Sequence, residues 1–277
     1  MLSFYDFISE RREVERRKRG GQARPWTNDS VLHETRITNL NRNFDRGTIR
    51  LREKVEALDD IERIRVIVLY RSGYSSPFLL ESLTGLVYED TQWLQSHKHG
   101  FGDRLPYQVT MVDGQHIGEF LIKSCFDVAQ FIHSKLLNYR CESLQNVAED
   151  IATRFRSTHA FRMIFLGTEI AKDLSIFYPK QVDPLSRCPI NSGARSGLAR
   201  LHTDNQIGHI WRINDRMDYL KAQTGMSFSE LEHALCEFDK YRFRWEEYCK
   251  PEPKIPRQWL YEPNEKPLYS FDLAISA

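Results

Sequence analysis

The chain has 277 residues, 41% apolar and 28% charged, with only 14 Gly and 11 Pro. That composition excludes a collagen-like, disordered or staple-dependent chain and suffices for one large or two small domains. Its 39 Lys and Arg nearly cancel 38 Asp and Glu, for a formal charge of +1, so any nucleic-acid contact must come from a local basic face.

Residues 10 to 24 are basic and Glu-punctuated and end at Gly20, Gly21 and Pro25, which predicts a helix and then a turn. Its Arg excess suits either a solvated helix face or a phosphate-backbone contact. The cap-forming residues Thr27 to Ser30 precede Val31 and Leu32, predicting one or two helices over 31–58 with a break near Phe44 to Gly47. Asp60 to Tyr70 reads as a buried helix rather than a strand, and residues 76–97 as another helix. Tyr107 to Val112 alternates and meets Asp113-Gly114, the signature of a small hairpin.

Apolar residues recur at three and four from Glu119 to Tyr139 and from Ser143 to Thr153, predicting two helices. Phe155 to Gly167 is expected to lead through a tight turn into a helix over Thr168 to Phe177, stopped by Pro179. Residues 180–193 are turn-rich. A short helix is expected from Arg195 to Leu201, and Ser227 to Glu230 is a capping box for a long helix reaching Tyr248. The whole reads as a mainly α protein, residues 1–250 forming a single helical domain in one lobe or two, with 251–277 a tail packed on the surface.

Five cysteines, Cys125, Cys141, Cys188, Cys236 and Cys249, show no C-x-x-C spacing, which argues for reduced thiols in a cytosolic or nuclear compartment. Met1 to Glu10 lacks a leader pattern, and no apolar run approaches the ~18 residues of a membrane span. A soluble, intracellular protein with no membrane partner is the expectation. The histidines form no compact metal signature, and no Ser sits in a G-x-S-x-G elbow.

Four constellations can carry chemistry. Arg36, Asn39, Arg42 and Asp45, with Arg46 beyond, form a polar stripe if the segment is helical, either ion-paired on the surface or holding a phosphate between guanidinium forks. Asn191 to Leu198 offers small residues, a helix start and Arg195, so it is either an anion cradle or an ordinary capped turn. In the last long helix, Leu235, Phe238 and Tyr241 suit the core, while Glu237 and Asp239 are expected to point elsewhere, Glu237 toward a distant partner. Asp173 follows the Gly167 turn. Trp26 and Trp93 are candidates either for core packing or for stacking on an extruded base.

Arg24-Pro25-Trp26-Thr27-Asn28-Asp29, the run Arg36 to Arg46, the segment Asn191 to Leu198 and Leu235 to Tyr241 together resemble, in order, the alpha-glutamyl/putrescinyl thymine pyrophosphorylase family. That family comprises phage amino acid:DNA transferases and is related to the helical module of 5-hydroxymethyluracil DNA kinases. The resemblance implies a fold akin to helix-hairpin-helix DNA glycosylases, with the stretch around Gly167 as the hairpin. It implies that an amino acid or polyamine displaces phosphate or pyrophosphate at the 5-methylene of a phosphorylated 5-hydroxymethyluracil in DNA. Asp45, Asp173, Arg195 and Asp239 would be catalytic; Trp26, Asn39, Arg42, Arg46 and Glu237 would bind substrate. No metal or cofactor is implied beyond the amine co-substrate. DNA and an upstream hydroxymethyluracil DNA kinase would be the partners, in the cytoplasm of a phage-infected bacterium or in a nucleus. A base-excising glycosylase using Asp173 and a non-catalytic DNA-binding module are the competing readings.

Overall fold

The computed structural model describes residues 1–35, 37, 39–72, 111–112, 115–136, 138, 140–155, 160–208, 210–255 and 260. The fold is mainly α-helical. In chain order the helices are α1 (Phe4–Arg19), α2 (Ser30–Glu34), α3 (Arg46–Val55), α4 (Asp60–Ser72), α5 (Ile117–Leu136), α6 (Leu144–Arg154), α7 (Ala160–Phe177), α8 (Ser192–Thr203), α9 (Ile213–Thr224) and α10 (Phe228–Tyr248), with a 3-10 turn at Arg42–Phe44. Strand β1 (Met111–Val112) pairs antiparallel with β2 (Gln115–His116), the small hairpin that the sequence predicts. Its turn residues, the preceding 107–110, the helix expected over 76–97, Trp93 and most of the expected tail lie outside the described residues. A second pair, β3 (Glu142–Ser143) parallel to β4 (Val182–Asp183), lies partly in a stretch that reads only as turns. Among the described residues no helix is long and apolar enough to cross a membrane.

The chain divides into two compact units. The first combines both ends of the sequence, Met1–Arg46 with Ile190–Ala277; the second is the continuous stretch Gly47–Pro189.

The first unit is organised around α10. Ser227 Oγ accepts from the Glu230 amide at 3.2 Å, and Glu230 Oε2 accepts from the Ser227 amide at 2.9 Å, so the predicted capping box starts this helix. Its buried stripe, Leu231, Ala234, Leu235, Phe238 and Tyr241, recurs at three and four and meets α1. There Phe4 and Phe7 set their rings 5.3 and 5.5 Å from Phe238. The Tyr241 hydroxyl donates to Asp29 Oδ2 at 2.8 Å and accepts from the Leu2 amide at 3.0 Å. Burial, reinforced by the Asp29 carboxylate, pushes that phenol well above its ordinary range. Helix α1 starts well before the basic run, because Ser3 caps it through the Asp6 amide and Phe4, Phe7, Ile8 and Val14 bury its apolar face. Helix α9, which the periodicity does not announce, buries only Met217 and Leu220 and stops at Gly225, whose φ is +68°.

The second unit packs α4 against α5 and α7, and α6 against α7. Helix α4 is buried over Ile64 and Val66 to Ser72, as expected of a helix whose Val66 to Tyr70 stretch is apolar all round. Arg63 closes the end of α3, donating to the carbonyls of Val55, Glu56 and Leu58 at 3.2, 3.3 and 2.8 Å. The turn expected at Gly167 does not exist. Helix α7 runs through it unbroken, and the glycine serves packing: a Cβ there would lie within 3.0 Å of the Ala148 carbonyl oxygen on α6. The hairpin that the family resemblance places at this point is therefore a helix crossing.

Candidate nucleic-acid interface

The C-terminal half of α1 gathers Arg16, Arg17, Lys18 and Arg19 in its last turn, where cations complement the partial negative charge of the helix end. Glu13 orders two of them, accepting from Arg16 Nε and Nη2 and from Arg17 Nε, each at 2.7 Å. These bonds from Arg16 and Arg17 hold its carboxyl down at about 2. Arg17 Nη1 reaches on to the Trp26 carbonyl at 2.7 Å. The remaining cations lie over aromatic faces: Lys18 Nζ 4.6 Å and Arg24 Cζ 4.7 Å from the Trp26 ring, and Arg19 Cζ 4.1 Å from that of Phe44. Guanidinium and ammonium groups held in this way are pre-positioned for polyanion contact. Arg12, Arg16 and Arg19 are exposed.

This arrangement reassigns Trp26. Its indole N–H donates to the Gln22 carbonyl at 2.7 Å and the residue is 7% exposed, so it anchors cations and leaves no open face for an extruded base.

The helical stripe from Asn39 to Asp45 is also absent. After α2 the chain is extended at Thr35, which bridges to Leu260, and Arg42 falls in the 3-10 turn. β-branched residues and the Asn41 cap, whose side chain accepts from the Asn43 amide at 2.9 Å, favour that course over a helix. Asn39 Nδ2 donates to the Phe44 carbonyl at 2.5 Å and closes the loop. Arg42 is buried, Asp45 half-buried. Arg46 opens α3, and Arg36 lies outside the described residues.

The second constellation is a helix contact. Gly193 and Gly197 on α8 face α10: a Cβ on Gly193 would sit 2.6 Å from Cys236 Sγ, and one on Gly197 within 3.0 Å of the Leu235 carbonyl oxygen. The small residues thus let two helices touch rather than admit a ligand's phosphate. Asn191 makes no side-chain cap bond and instead donates to Glu232 Oε1 at 3.1 Å, in the interior. Arg195 is exposed, tethered through Nε to the Ile190 carbonyl at 2.9 Å. Asp239 accepts from Ser196 Oγ at 2.9 Å and from Arg200 Nε at 2.5 Å, and Arg200 reaches Glu246 at 2.7 Å. Glu237, expected to point away from the core, is 2% exposed, and Lys240 one turn on donates to it at 2.5 Å.

Asp173 belongs to the second unit, and the other described candidates belong to the first. It is fully buried, and Arg71 holds both its oxygens, Nε to Oδ2 at 2.5 Å and Nη2 to Oδ1 at 3.0 Å, while Thr48 Oγ1 accepts from Nη2 at 3.0 Å. Arg71 is absent from the motif-based set. Its signal is an Arg ending a run of eight largely apolar positions, which implies a buried acid elsewhere.

A family model described as 5-hmdU DNA kinase, helical domain, matches residues 1–111. That range holds α1, Trp26, the Asn39–Asp45 loop, Arg46 and Arg71, and it contains the first two of the four segments that carry the family resemblance; Asn191 to Leu198 and Leu235 to Tyr241 lie beyond it. The relation reaches a DNA-kinase helical domain and goes no further toward the pyrophosphorylases. No curated protein and no solved structure matches the chain.

Proposed function

We propose that this protein acts on DNA in a thymine-hypermodification system, transferring an amine onto the 5-methylene of phosphorylated 5-hydroxymethyluracil. The observation that carries the reading is a coincidence of place: the stretch similar to a DNA-kinase helical domain is the stretch in which α1 and the following loop build an ordered cationic surface. An upstream hydroxymethyluracil DNA kinase would supply the phosphorylated base, and the co-substrate is an amino acid or polyamine. No cofactor takes part.

In the reaction the amine nitrogen forms a C–N bond at the methylene as the C–O bond to phosphate or pyrophosphate breaks. The leaving group departs with the electron pair, and the ammonium proton passes to a carboxylate. Arg195, tethered but exposed, meets the developing phosphate charge, with Arg42 from the 3-10 turn and Arg46 from the start of α3 contributing. Asp239 and Asp45 are the acids assigned to the ammonium. Glu237, Asn39 and Trp26 act as positioning residues through the bonds described above, while Asp173, held by Arg71, acts as an anchor within the second unit. One observation favours a second reading, a DNA-binding module without chemistry: Asp239 and Asp173 are each already bonded to an arginine. A glycosylase using Asp173 loses both its hairpin and its accessible acid.

The test supplies duplex DNA containing phosphomethyluracil or pyrophosphomethyluracil with mixed amino acids and polyamines, followed by nucleoside mass analysis. An amine adduct that disappears in Arg195→Ala and Asp239→Ala supports transfer. Unchanged nucleosides despite tight DNA binding overturn it and leave the module.

A further inference from the structure

The most exposed large apolar side chain among the described residues is Trp211, 74% exposed, between α8 and α9. Leaving an indole in water forgoes the burial of roughly 150–250 Å² that an aromatic ring offers. The loop that holds it out is not loose. Its start is tied by the Asp204 amide to the Arg200 carbonyl at 2.8 Å and the Gln206 amide to the Leu201 carbonyl at 2.9 Å. Asn205 and Gly208 take positive φ of 54° and 60°. Gln206 Oε1 accepts from the Phe4 amide at 2.8 Å, and Ile207 is buried. Just before the tryptophan, the Ile210 carbonyl accepts from Arg216 Nε at 2.5 Å. The indole rests against His202, ring centroids 5.4 Å apart and tilted by 58°. Arg212, next in sequence, is exposed, while the loop's Asp204 is occupied by Arg242.

We propose that Trp211 is the platform on which the first unit stacks an unpaired nucleobase of DNA, with Arg212 on the adjoining phosphate. This rests on the DNA reading above and supplies the open aromatic face that Trp26 lacks. A single exposed ring, followed in sequence by the exposed polar residues Arg212, Asn214 and Asp215, is too small for the ~800 Å² per partner of a stable protein interface and of the right size for one base. Stacking on an aromatic ring is tolerant of base identity, since every base has a π-face.

The test is fluorescence anisotropy with the full chain, using a labelled single-stranded oligothymidylate and the same strand as a fully paired duplex. Trp211→Ala should weaken single-strand binding about tenfold or more, Trp211→Phe should keep most of it, and duplex binding should change little. Arg212→Ala should flatten the single-strand salt dependence by about 0.7 in log–log slope, the value of one phosphate. Unchanged single-strand binding by Trp211→Ala, or a change in its sedimentation that marks the tryptophan as a subunit contact, overturns the proposal while leaving the DNA reading intact. Failure of the wild-type protein to bind either DNA overturns both. Weakened binding by Trp211→Ala with no amine transfer upholds the platform and removes only the chemistry.

Discussion

Glu15 lies on the buried side of α1, with Arg19 Nη1 3.9 Å from its Oε1. Burial raises its carboxyl above its ordinary value near 4.5, against the opposing pull of Arg19, Arg11 and Lys18. The folded state therefore holds this proton more tightly than the unfolded chain does, so the group's stabilising contribution is complete below pH 4.5 and is lost as pH rises through the folded value. Glu15→Gln, which mimics the protonated form, should match the wild type near pH 4 and melt a few degrees higher at pH 7–8; thermal unfolding at both pH values checks this. Asp173 calls for the opposite expectation. Asp173→Asn leaves the Arg71 charge in the interior and should cost about 3–5 kcal/mol in urea unfolding. Unchanged stability with lost transfer activity would instead give Asp173 a chemical role. The residue types at these positions were readable from sequence, but their partners were not: Arg71 lies 102 residues from Asp173, and Arg200 lies 39 from Asp239. No local pattern encodes a pairing across that distance.

Among the elements, three helices opened by an explicit cap were legible, whereas the Ser3 cap that starts α1 was not. Ser227 with Glu230, Ser143 and Asp29 each bond an amide of the helix they open, and such bonds depend only on neighbours in sequence. Helix α9 escaped because two buried residues make no stripe. The glycines of α8 were misread for a physical reason: a small residue admits a ligand and a neighbouring helix equally well, and only the neighbour's coordinates decide. The two glycines should respond differently to substitution. At Gly193 the obstacle is a thiol, so a Gly193→Ala loss should be relieved when Cys236→Ala is added, a positive coupling in a double-mutant cycle. At Gly197 the obstacle is the Leu235 backbone, so no side-chain change relieves it. Overpacking of about 1–3 kcal/mol should there exceed the helix-propensity gain of roughly 1 kcal/mol, and the urea midpoint should fall.

At the scale of the molecule, one unit is continuous and the other is assembled from both ends of the chain. Residues 47–189 expressed alone should give a helical circular-dichroism spectrum and cooperative urea unfolding. Residues 1–46 alone should not, because Phe4 and Phe7 lose Phe238, and Asp29 loses Tyr241. Failure of the 47–189 piece to fold would show that the two units depend on one another. Helical class, the small hairpin, the capped helices and the basic character of α1 follow from the sequence itself, since periodicity, caps and local charge act over a few residues. Tertiary structure alone decided that Trp26 is covered while Trp211 stands open, that the glycines join helices, and that Asp173 is sealed by Arg71. Burial and pairing belong to what lies across the fold, and the sequence holds that information only through the packing of the whole chain.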